Sequence, residues 1–320
     1  MRKRAVGRTG LEVTDLCFGT APLGAMPDTY GYTVDEETAR ATIQAVFEGP
    51  VNFMDTSRNY GFGRSERRIG DVIRERGGLP EGFVLSTKLD RDMETGRFDG
   101  AQARRSFEES LVALGVDRVH ILHLHDPEHA SDMKDVTRKG GALAELFKLK
   151  EEGLATAVGL AMGRLDIMLP LLKEHPFDVV LNHNRFTLLN RSANELFNYA
   201  SANGIAVLNA APFAGGVLAK GSSKVQRITY QEADESALEP VRVIEDVCER
   251  LSVAPGAAAL QFSLRDPRIL STVIGVSRPE RIAQTLQWAS ADLPEQLWAD
   301  LDGIAYSRSD PEANREYRPG

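Results

Sequence analysis

Short apolar runs alternate with longer helical segments along the chain, and this repeat constrains the fold more than any other feature of the sequence. The runs typical of buried strands are residues 16–19, 51–54, 83–87, 119–124, 156–160, 179–182, 206–209 and 272–275. The segments with helical spacing of apolar residues are 35–48, 65–76, 101–114, 142–152, 165–174, 192–202, 240–251 and 279–288. A strand–helix repeat of this kind requires a parallel sheet, and its eight copies predict a closed (β/α)₈ TIM barrel.

The repeat continues to the C-terminus without a change of composition, so we expect residues 1–320 to form one α/β barrel domain. A turn at residues 6–11 predicts an N-terminal hairpin cap, and residues 294–320 predict a C-terminal helical extension. The polar insertion at residues 221–239 is either a lid over a ligand or a disordered surface loop. A doubly wound open sheet is the competing architecture, but no Gly-x-Gly-x-x-Gly turn follows an early strand.

Charge and composition argue against several classes of protein. The chain has 38 basic and 46 acidic residues and no basic stripe interleaved with aromatic residues, so nucleic acid is not an expected partner. No apolar run is long enough to span a membrane, and the basic start breaks before a signal peptide could form. Cys17 and Cys248 lie in apolar segments and are expected as buried thiols. We therefore expect a cytoplasmic monomer or small homo-oligomer that acts on a small molecule.

Four polar residues follow or end predicted strands, where a barrel places its catalytic groups. Asp55 directly follows the strand at 51–54, and Tyr60 lies in the loop after it. Lys88 and His125 end the next two strands. Each residue alone has a structural explanation, as a turn cap, a loop contact, a solvated strand end or a hydrogen-bonded interior histidine. Together, a carboxylate, a phenol, an amine and an imidazole at one barrel mouth predict a proton-transfer site.

The residues just described, with several short motifs, give the chain a resemblance to the aldo-keto reductase superfamily over almost its whole length. The motifs that carry the resemblance are Gly7-Arg8-Thr9-Gly10-Leu11, Phe18-Gly19-Thr20, Asp55-Thr56-Ser57, Tyr60-Gly61, Ser65-Glu66 and Lys88. The run His123-Leu124-His125-Asp126-Pro127 and residues 182–190 are most similar to bacterial aldose dehydrogenases of the L-fucose or D-threo-aldose type. The resemblance implies a TIM-barrel oxidoreductase that moves a hydride between a nicotinamide cofactor and a sugar or aldehyde.

The resemblance also implies a role for each of the four residues. Lys88 would lower the pKa of Tyr60, and Asp55 would hold Lys88 charged and oriented. His125 would donate a hydrogen bond to the substrate oxygen, while Tyr60 exchanges a proton with it. The implied reaction is oxidation of an aldose such as L-fucose or D-arabinose at the anomeric carbon to a lactone. A carbonyl reductase or a pyridoxal-type dehydrogenase on the same site remains an open alternative.

The cofactor site implied by the resemblance is built from twelve positions: Gly19, Thr20, Asp55, His183, Asn184, Pro212, Phe213, Gly215, Gly275, Ser277, Arg281 and Gln284. The chain departs from its relatives at the carboxamide contacts, where Ala161-Met162 replace Ser-Asn and His183 replaces glutamine. Asn184 is a candidate substitute. A guanidinium at Arg281 would bind a 2′-phosphate in a bidentate manner, which favours NADP slightly over NAD.

Substrate contacts are expected from Tyr60 and His125, and also from Tyr30, Arg185 and Phe186, which follow strands at the mouth. Trp288 and Trp298 are expected as packing residues. A metal-dependent hydrolase is one rival, because His123 and His125 alternate onto one strand face and His183 could be a third ligand. Such barrels usually carry the His-x-His pair on the first strand and a lysine later, whereas Lys88 precedes the pair here, so no metal is expected. A non-catalytic nucleotide-binding regulatory subunit is the other rival. Because Asp55, Tyr60, Lys88 and His125 are all retained, an enzyme that turns over substrate is favoured over this binding subunit.

Overall fold

The computed structural model describes residues 1–315 and begins with the predicted hairpin, in which β1 (Lys3–Ala5) pairs antiparallel with β2 (Glu12–Thr14). Val13 of β2 and Val6, which follows β1, are fully buried in the apolar cluster that fills the barrel interior. The Thr14 amide donates to Oδ1 of Asn52, which lies before a barrel strand. The hairpin therefore closes the end of the barrel where the strands begin, and the opposite end is left for a site.

The strands after this hairpin form the barrel and one small hairpin. Within the described residues they are β3 (Leu16–Gly19), β4 (Phe53–Asp55), β5 (Val84–Leu89), β6 (Val119–His125), β7 (Ala155–Met162), β8 (Val179–His183), β9 (Ala206–Ala210), β10 (Arg227–Ile228), β11 (Gln231–Glu232) and β12 (Ile269–Gly275). Parallel pairing in the order β12-β3-β4-β5-β6-β7-β8-β9 closes the barrel, while β10 and β11 pair only with each other. The predicted (β/α)₈ barrel is confirmed, and every predicted strand overlaps a barrel strand.

Helices surround the barrel and bury their apolar faces against the strands. The helices of the described part are α1 (Pro27–Tyr30), α2 (Glu36–Glu48), α3 (Arg64–Arg76), α4 (Gly100–Leu114), α5 (Met133–Thr137), α6 (Ala142–Glu151), α7 (Leu165–Glu174), α8 (Asn194–Ala202), α9 (Val217–Lys220), α10 (Glu235–Arg250), α11 (Pro255–Leu264), α12 (Pro279–Ser290) and α13 (Glu295–Asp302). Asp35 and Asp99 cap α2 and α4 by accepting hydrogen bonds from backbone amides. None of the helices within residues 1–315 is long and apolar enough to cross a membrane.

The short helices α1, α5 and α9 and two longer helices differ from the sequence prediction. The helix expected at 240–251 begins earlier, at Glu235, because Asp234 accepts a hydrogen bond from the Ala237 amide and caps it. Helix α11 is absent from the prediction. It is rich in alanine and buried on most sides, so it lacks the one-sided apolar pattern by which a surface helix is identified. Cys17 and Cys248 are buried free thiols, as expected.

The insertion and the C-terminal extension both return to the open end of the barrel. The insertion forms the β10–β11 hairpin, whose turn residues Thr229 and Tyr230 have positive φ. After α13 the chain runs back across the barrel, where the Ser307 amide donates to Leu189 O. The last five residues of the predicted extension, 316–320, lie outside the described residues. Two segments distant in sequence thus line the barrel mouth.

Candidate active site

Lys88 lies at the centre of the predicted catalytic group and is almost completely buried, with 1% of its surface exposed. Its Nζ donates to Asp55 Oδ2 at 2.5 Å, to the carbonyl oxygen of Thr56 at 2.6 Å and to Tyr60 Oη at 3.1 Å. An ammonium has three hydrogens, so all of them are used. Because Tyr60 Oη accepts from Lys88, the hydroxyl hydrogen of Tyr60 is free to face the cavity that this residue lines.

The barrel register and one tight turn create this arrangement. Asp55 ends β4 opposite Ser86 of β5, whose hydroxyl donates to Asp55 Oδ1 at 3.0 Å. The loop that carries Tyr60 passes against Gly24, where a β-carbon would lie 2.7 Å from the Tyr60 carbonyl carbon. Gly61 has a φ of +62°, and a β-carbon there would overlap the Gly24 backbone. The Gly61 position in the predicted motif is thus required for the approach of the phenol to Lys88.

The pKa of Tyr60 moves in the direction opposite to the expected one. Burial raises the pKa of Tyr60 well above its ordinary value, and the carboxylates of Asp55, Asp126 and Asp90 raise it further. The resemblance predicts that Lys88 lowers this pKa, but the net shift in this structure is upward, because desolvation and three carboxylates raise it. Tyr60 keeps its proton near neutral pH and is suited to act as a hydrogen-bond and proton donor.

His125 is held by a buried carboxylate that the sequence prediction missed. Its Nδ1 lies 2.5 Å from Oδ1 of Asp90, which is 1% exposed, and 3.1 Å from the Ser57 hydroxyl. Burial opposes ionisation of Asp90, but the charge of His125 and hydrogen bonds from His125, Ser57 and the Asn59 amide lower its pKa. Asp90 follows Lys88 by two residues, so strand alternation places both on one face of the barrel, and this signal was available in the sequence.

One cavity of about 500 Å³ joins this group to the predicted cofactor positions. It is lined by the predicted catalytic residues Asp55, Tyr60, Lys88 and His125 and by the cofactor candidates Gly19, His183, Phe213, Gly215, Gly275, Ser277, Arg281 and Gln284. Three candidates are not on its wall: Thr20 donates to the Asp55 carbonyl oxygen, Asn184 Nδ2 lies 3.3 Å from His183 Nδ1, and Pro212 is buried. Trp288, expected only as a packing residue, contacts the Phe213 ring and lines the cavity.

A group of three cations lines the same cavity: Lys220, Arg278 and Arg281. Burial lowers the pKa of Lys220, and the charges of Arg281 and Arg278 lower it further, so the three lie close together. No carboxylate among residues 1–315 forms an ion pair with them, and Arg281 instead donates to the side-chain oxygen of Gln284. Clustered cations without a carboxylate partner favour a bound anion, so these three residues would hold phosphate groups of a nicotinamide dinucleotide in the cavity that the predicted catalytic group also lines.

The expected substrate contacts divide into two sets. Tyr30 lines the cavity with Tyr60 and His125, and its ring lies edge-on to that of Tyr230 from the insertion, 6.0 Å away. Arg185 and Phe186 do not line it, which corrects their expected placement. The Arg185 guanidinium is turned into ion pairs with Asp310 and Glu312, and the Phe186 ring is buried against Phe262.

The C-terminal segment contributes groups to the mouth that no sequence pattern indicated. Glu312 forms ion pairs with His183, Arg185 and Arg315, at 3.0, 2.7 and 2.6 Å. Burial opposes the charge of Glu312, but these cations lower its pKa well below its ordinary value, and Glu312 in turn raises the pKa of His183. Arg315 lines the cavity and lies over the Tyr230 ring. This segment therefore contributes to the cavity wall through Arg315.

His123, His125 and His183, the three candidate ligands of the rival metal site, each lie in a different environment. The His123 ring is fully buried, burial lowers its pKa well below the ordinary value, and neither ring nitrogen has a hydrogen-bond partner among the described residues. His125 is engaged by Asp90, and His183 by Glu312. Among residues 1–315, no group of three or more His, Cys, Asp or Glu side chains is arranged to hold a metal ion.

Comparison with known proteins agrees with this geometry. The family model described as "Aldo/keto reductase family" matches residues 15–305, which is most of the chain. The chain belongs to the aldo/keto reductase family. The predicted resemblance is thereby confirmed, and an NAD(P)-dependent oxidoreductase is the activity that this family supports.

Individual relatives of this aldo/keto reductase are moderately similar. The chain is 32% identical to pyridoxal 4-dehydrogenase of Microbacterium luteolum, with 93% of this chain and 96% of the relative covered. It is 28% identical to D-threo-aldose 1-dehydrogenase of a Pseudomonas species, with 93% and 95% covered. The solved holo form of an aldo-keto reductase from Bacillus halodurans superposes with a TM-score of 0.76 over 99% of this chain and all of that one, at 21% identity. That structure supports the barrel fold.

Proposed function

We propose that this aldo-keto reductase oxidises an aldose, such as L-fucose or D-arabinose, at the anomeric carbon to a lactone. The observation that carries the proposal is the shared cavity wall of Tyr60 and His125, with Lys88 donating to the Tyr60 oxygen. The D-threo-aldose 1-dehydrogenase among its relatives supports a sugar substrate. The pyridoxal 4-dehydrogenase supports a second candidate, a pyridoxal-type cyclic hemiacetal.

The residues of the chain then have separable tasks. A bound nicotinamide supplies the hydride acceptor or donor. Asp55 and the Thr56 carbonyl oxygen hold the Lys88 ammonium, and Lys88 orients the Tyr60 hydroxyl. Tyr60 gives its hydroxyl proton to the carbonyl oxygen during reduction; during oxidation it first releases that proton, and its oxygen then takes the proton of the anomeric hydroxyl. His125 contacts the same substrate oxygen and positions it.

The substrate side of the cavity suits a molecule with several hydroxyl groups. Asp126, His183, Tyr30 and Tyr230 line it and together offer both donors and acceptors. Burial opposes ionisation of Asp126, but His125 and His183 lower its pKa, so it presents a carboxylate. A carboxylate accepts hydrogen bonds from sugar hydroxyls and repels an anionic substrate.

An assay across substrates tests this function. We expect the purified protein with NAD or NADP to reduce the cofactor in the presence of L-fucose, D-arabinose or L-galactose, and to do so faster than with simple aliphatic alcohols. Absorbance of the reduced nicotinamide is the measurement. Activity confined to pyridoxal would replace the aldose with the second candidate. Nucleotide binding without turnover on any of these compounds would favour a regulatory subunit.

The cofactor is proposed to be NADP in preference to NAD. Lys220, Arg278 and Arg281 together carry three positive charges, and they have no carboxylate partner within residues 1–315. A 2′-phosphate adds a charged group that a guanidinium binds through paired hydrogen bonds. The cation group is thus better matched by the phosphorylated nucleotide.

We expect an Arg281→Gln variant to bind NADP about tenfold to a hundredfold more weakly, because a charge-assisted hydrogen bond is lost. Its affinity for NAD should change little. Fluorescence titration with each nucleotide measures both constants. An Arg265→Gln variant, which removes an arginine that stacks on Trp298 outside the cavity, is the matched control. If Arg281→Gln weakened the binding of NAD and NADP equally, Arg281 would instead contact the pyrophosphate, which both nucleotides contain.

A further inference from the structure

We propose that Asp90 is a positioning residue that commits the hydrogen of the neutral His125 ring to Nδ1, so that Nε2 can donate to the substrate oxygen only as an imidazolium. The site would then work with a charged donor, and reduction of a carbonyl would stop when His125 loses its second proton. This inference deepens the proposed function and rests on its assignment of His125 to the substrate oxygen.

The hydrogen bonds around Asp90 leave one consistent placement of protons. Oδ2 accepts from the Ser57 hydroxyl at 2.7 Å and from the Asn59 amide at 2.9 Å. Oδ1 lies 2.5 Å from His125 Nδ1, and one proton must lie between them. The pKa of Asp90 is lowered by His125 and its other donors despite burial, so the carboxylate is ionised and the proton is on Nδ1. Because the Ser57 hydroxyl donates its hydrogen bond to Asp90, the Ser57 oxygen can also accept from Nδ1.

The other ring nitrogen therefore has no hydrogen when the ring is neutral. A carbonyl oxygen is only an acceptor, so a neutral His125 would present a lone pair to it and repel it. The imidazolium carries a hydrogen on Nε2 and gives a charge-assisted bond to the same oxygen. Tyr60 remains the group that transfers the proton, and His125 keeps its own hydrogens throughout reduction.

Several charged groups face His125 from the elements around it. Asp90 is on β5, and Asp126, 3.6 Å from Nε2 through Oδ2, follows β6. His123 lies below it on β6, His129 acts from the following turn, and Tyr60 meets the ring edge-on.

Burial raises the pKa of Tyr60 well above its ordinary value. Burial lowers the pKa of His129 to about 4, and His123 is also neutral. Burial and Asp126 raise the pKa of Glu128 to about 7, and Glu312 raises that of His183 despite burial, so the assigned NMR signal of His125 is needed to identify the group behind a loss of activity.

The isosteric Asp90→Asn variant reverses the tautomer. The Asn59 amide and the Ser57 hydroxyl both donate to the Oδ2 position, so the new amide oxygen must occupy it. The amide nitrogen then faces His125 Nδ1 and donates to it, which forces the neutral ring to carry its hydrogen on Nε2. A neutral donor to the substrate oxygen is thereby present at every pH.

Two measurements test the proposal. In ¹⁵N NMR spectra of the full-length protein without cofactor, assigned by loss of a signal in His125→Gln, neutral His125 should be protonated at Nδ1 in the wild type and at Nε2 in Asp90→Asn. Reduction of 4-nitrobenzaldehyde with NADPH should fall about tenfold per pH unit above the titration seen by NMR, and Asp90→Asn should lack this fall. Its activity relative to wild type should thus rise about a hundredfold over two pH units.

A Ser57→Ala variant keeps the carboxylate and is the matched control, so it should retain both the Nδ1 tautomer and the alkaline fall. A neutral wild-type ring protonated at Nε2 would overturn the proposal even if Asp90→Asn failed to fold. Parallel pH profiles for wild type and Asp90→Asn would overturn it as well, and would reduce Asp90 to a structural contact. The NMR result does not depend on any substrate, so failure of the aldose assay leaves this test intact.

Discussion

A Tyr60→Phe variant is expected to lose about a thousandfold in kcat in both directions, because general acid–base catalysis by a positioned side chain contributes roughly 10²- to 10⁴-fold. The hydroxyl is the only group removed, and Lys88 keeps two of its three acceptors, Asp55 and the Thr56 carbonyl oxygen. Binding of NADP should therefore change by less than about twofold, so that the loss is in turnover. Steady-state rates and nucleotide titration measure the two effects separately.

A Tyr199→Phe variant is the control for removal of a tyrosine hydroxyl, since Tyr199 lies on α8 beside Lys173, outside the cavity. It should keep its turnover. Wild-type rates in Tyr60→Phe would show that another group exchanges the proton. A loss of NADP affinity as large as the loss of rate would show that Tyr60 shapes the nucleotide site.

A Lys88→Met variant is expected to lose activity and also to lose about 3–5 kcal/mol of unfolding free energy, because it leaves the Asp55 carboxylate buried without its counter-charge. The two side chains are only 1% and 3% exposed, and their atoms are 2.5 Å apart. Ser86 alone would then satisfy Asp55. The double variant with Asp55→Asn should recover part of the stability while remaining inactive, since neither charge is left unpaired. The unfolding free energies of wild type, Lys88→Met, Asp55→Asn and the double variant, measured in urea, complete this double-mutant cycle.

The exposed pair of Arg40 and Glu75 provides a comparison at 2.6 Å in solvent. Arg40→Met should cost less than about 1 kcal/mol, because exposed ion pairs contribute little. If Lys88→Met cost no more than Arg40→Met, Asp55 would have to be neutral in the fold. Recovery of activity in the double variant would remove the ion pair from the proposed mechanism.

The convergence of the catalytic group was predictable from local patterns. Each apolar run marks a strand, and parallel strands in a closed barrel bring their C-terminal ends to one mouth. Asp55, Lys88 and His125 end or follow successive strands, so their meeting required only the correct strand assignment. Asp90 was predictable by the same alternation and was missed because its partner, His125, lies on another strand.

Two features depended on the complete fold. Glu312 reaches His183 and Arg185 from more than a hundred residues away, and no periodic pattern records where a C-terminal segment returns. Arg185 looked like a substrate contact because it follows a strand at the mouth. Ion pairs with Asp310 and Glu312 instead turn its guanidinium away from the cavity.

By itself the sequence determined the barrel, the closing hairpin and the side chains present at the mouth, because these follow from alternation and spacing along neighbouring residues. Tertiary structure alone decided the electrostatics of the site. The pKa of Tyr60 is raised because burial and the carboxylates of Asp55, Asp90 and Asp126 act together, and these groups come from three different strand ends. Such sums depend on distance and desolvation in the folded molecule, which spacing along the chain does not contain.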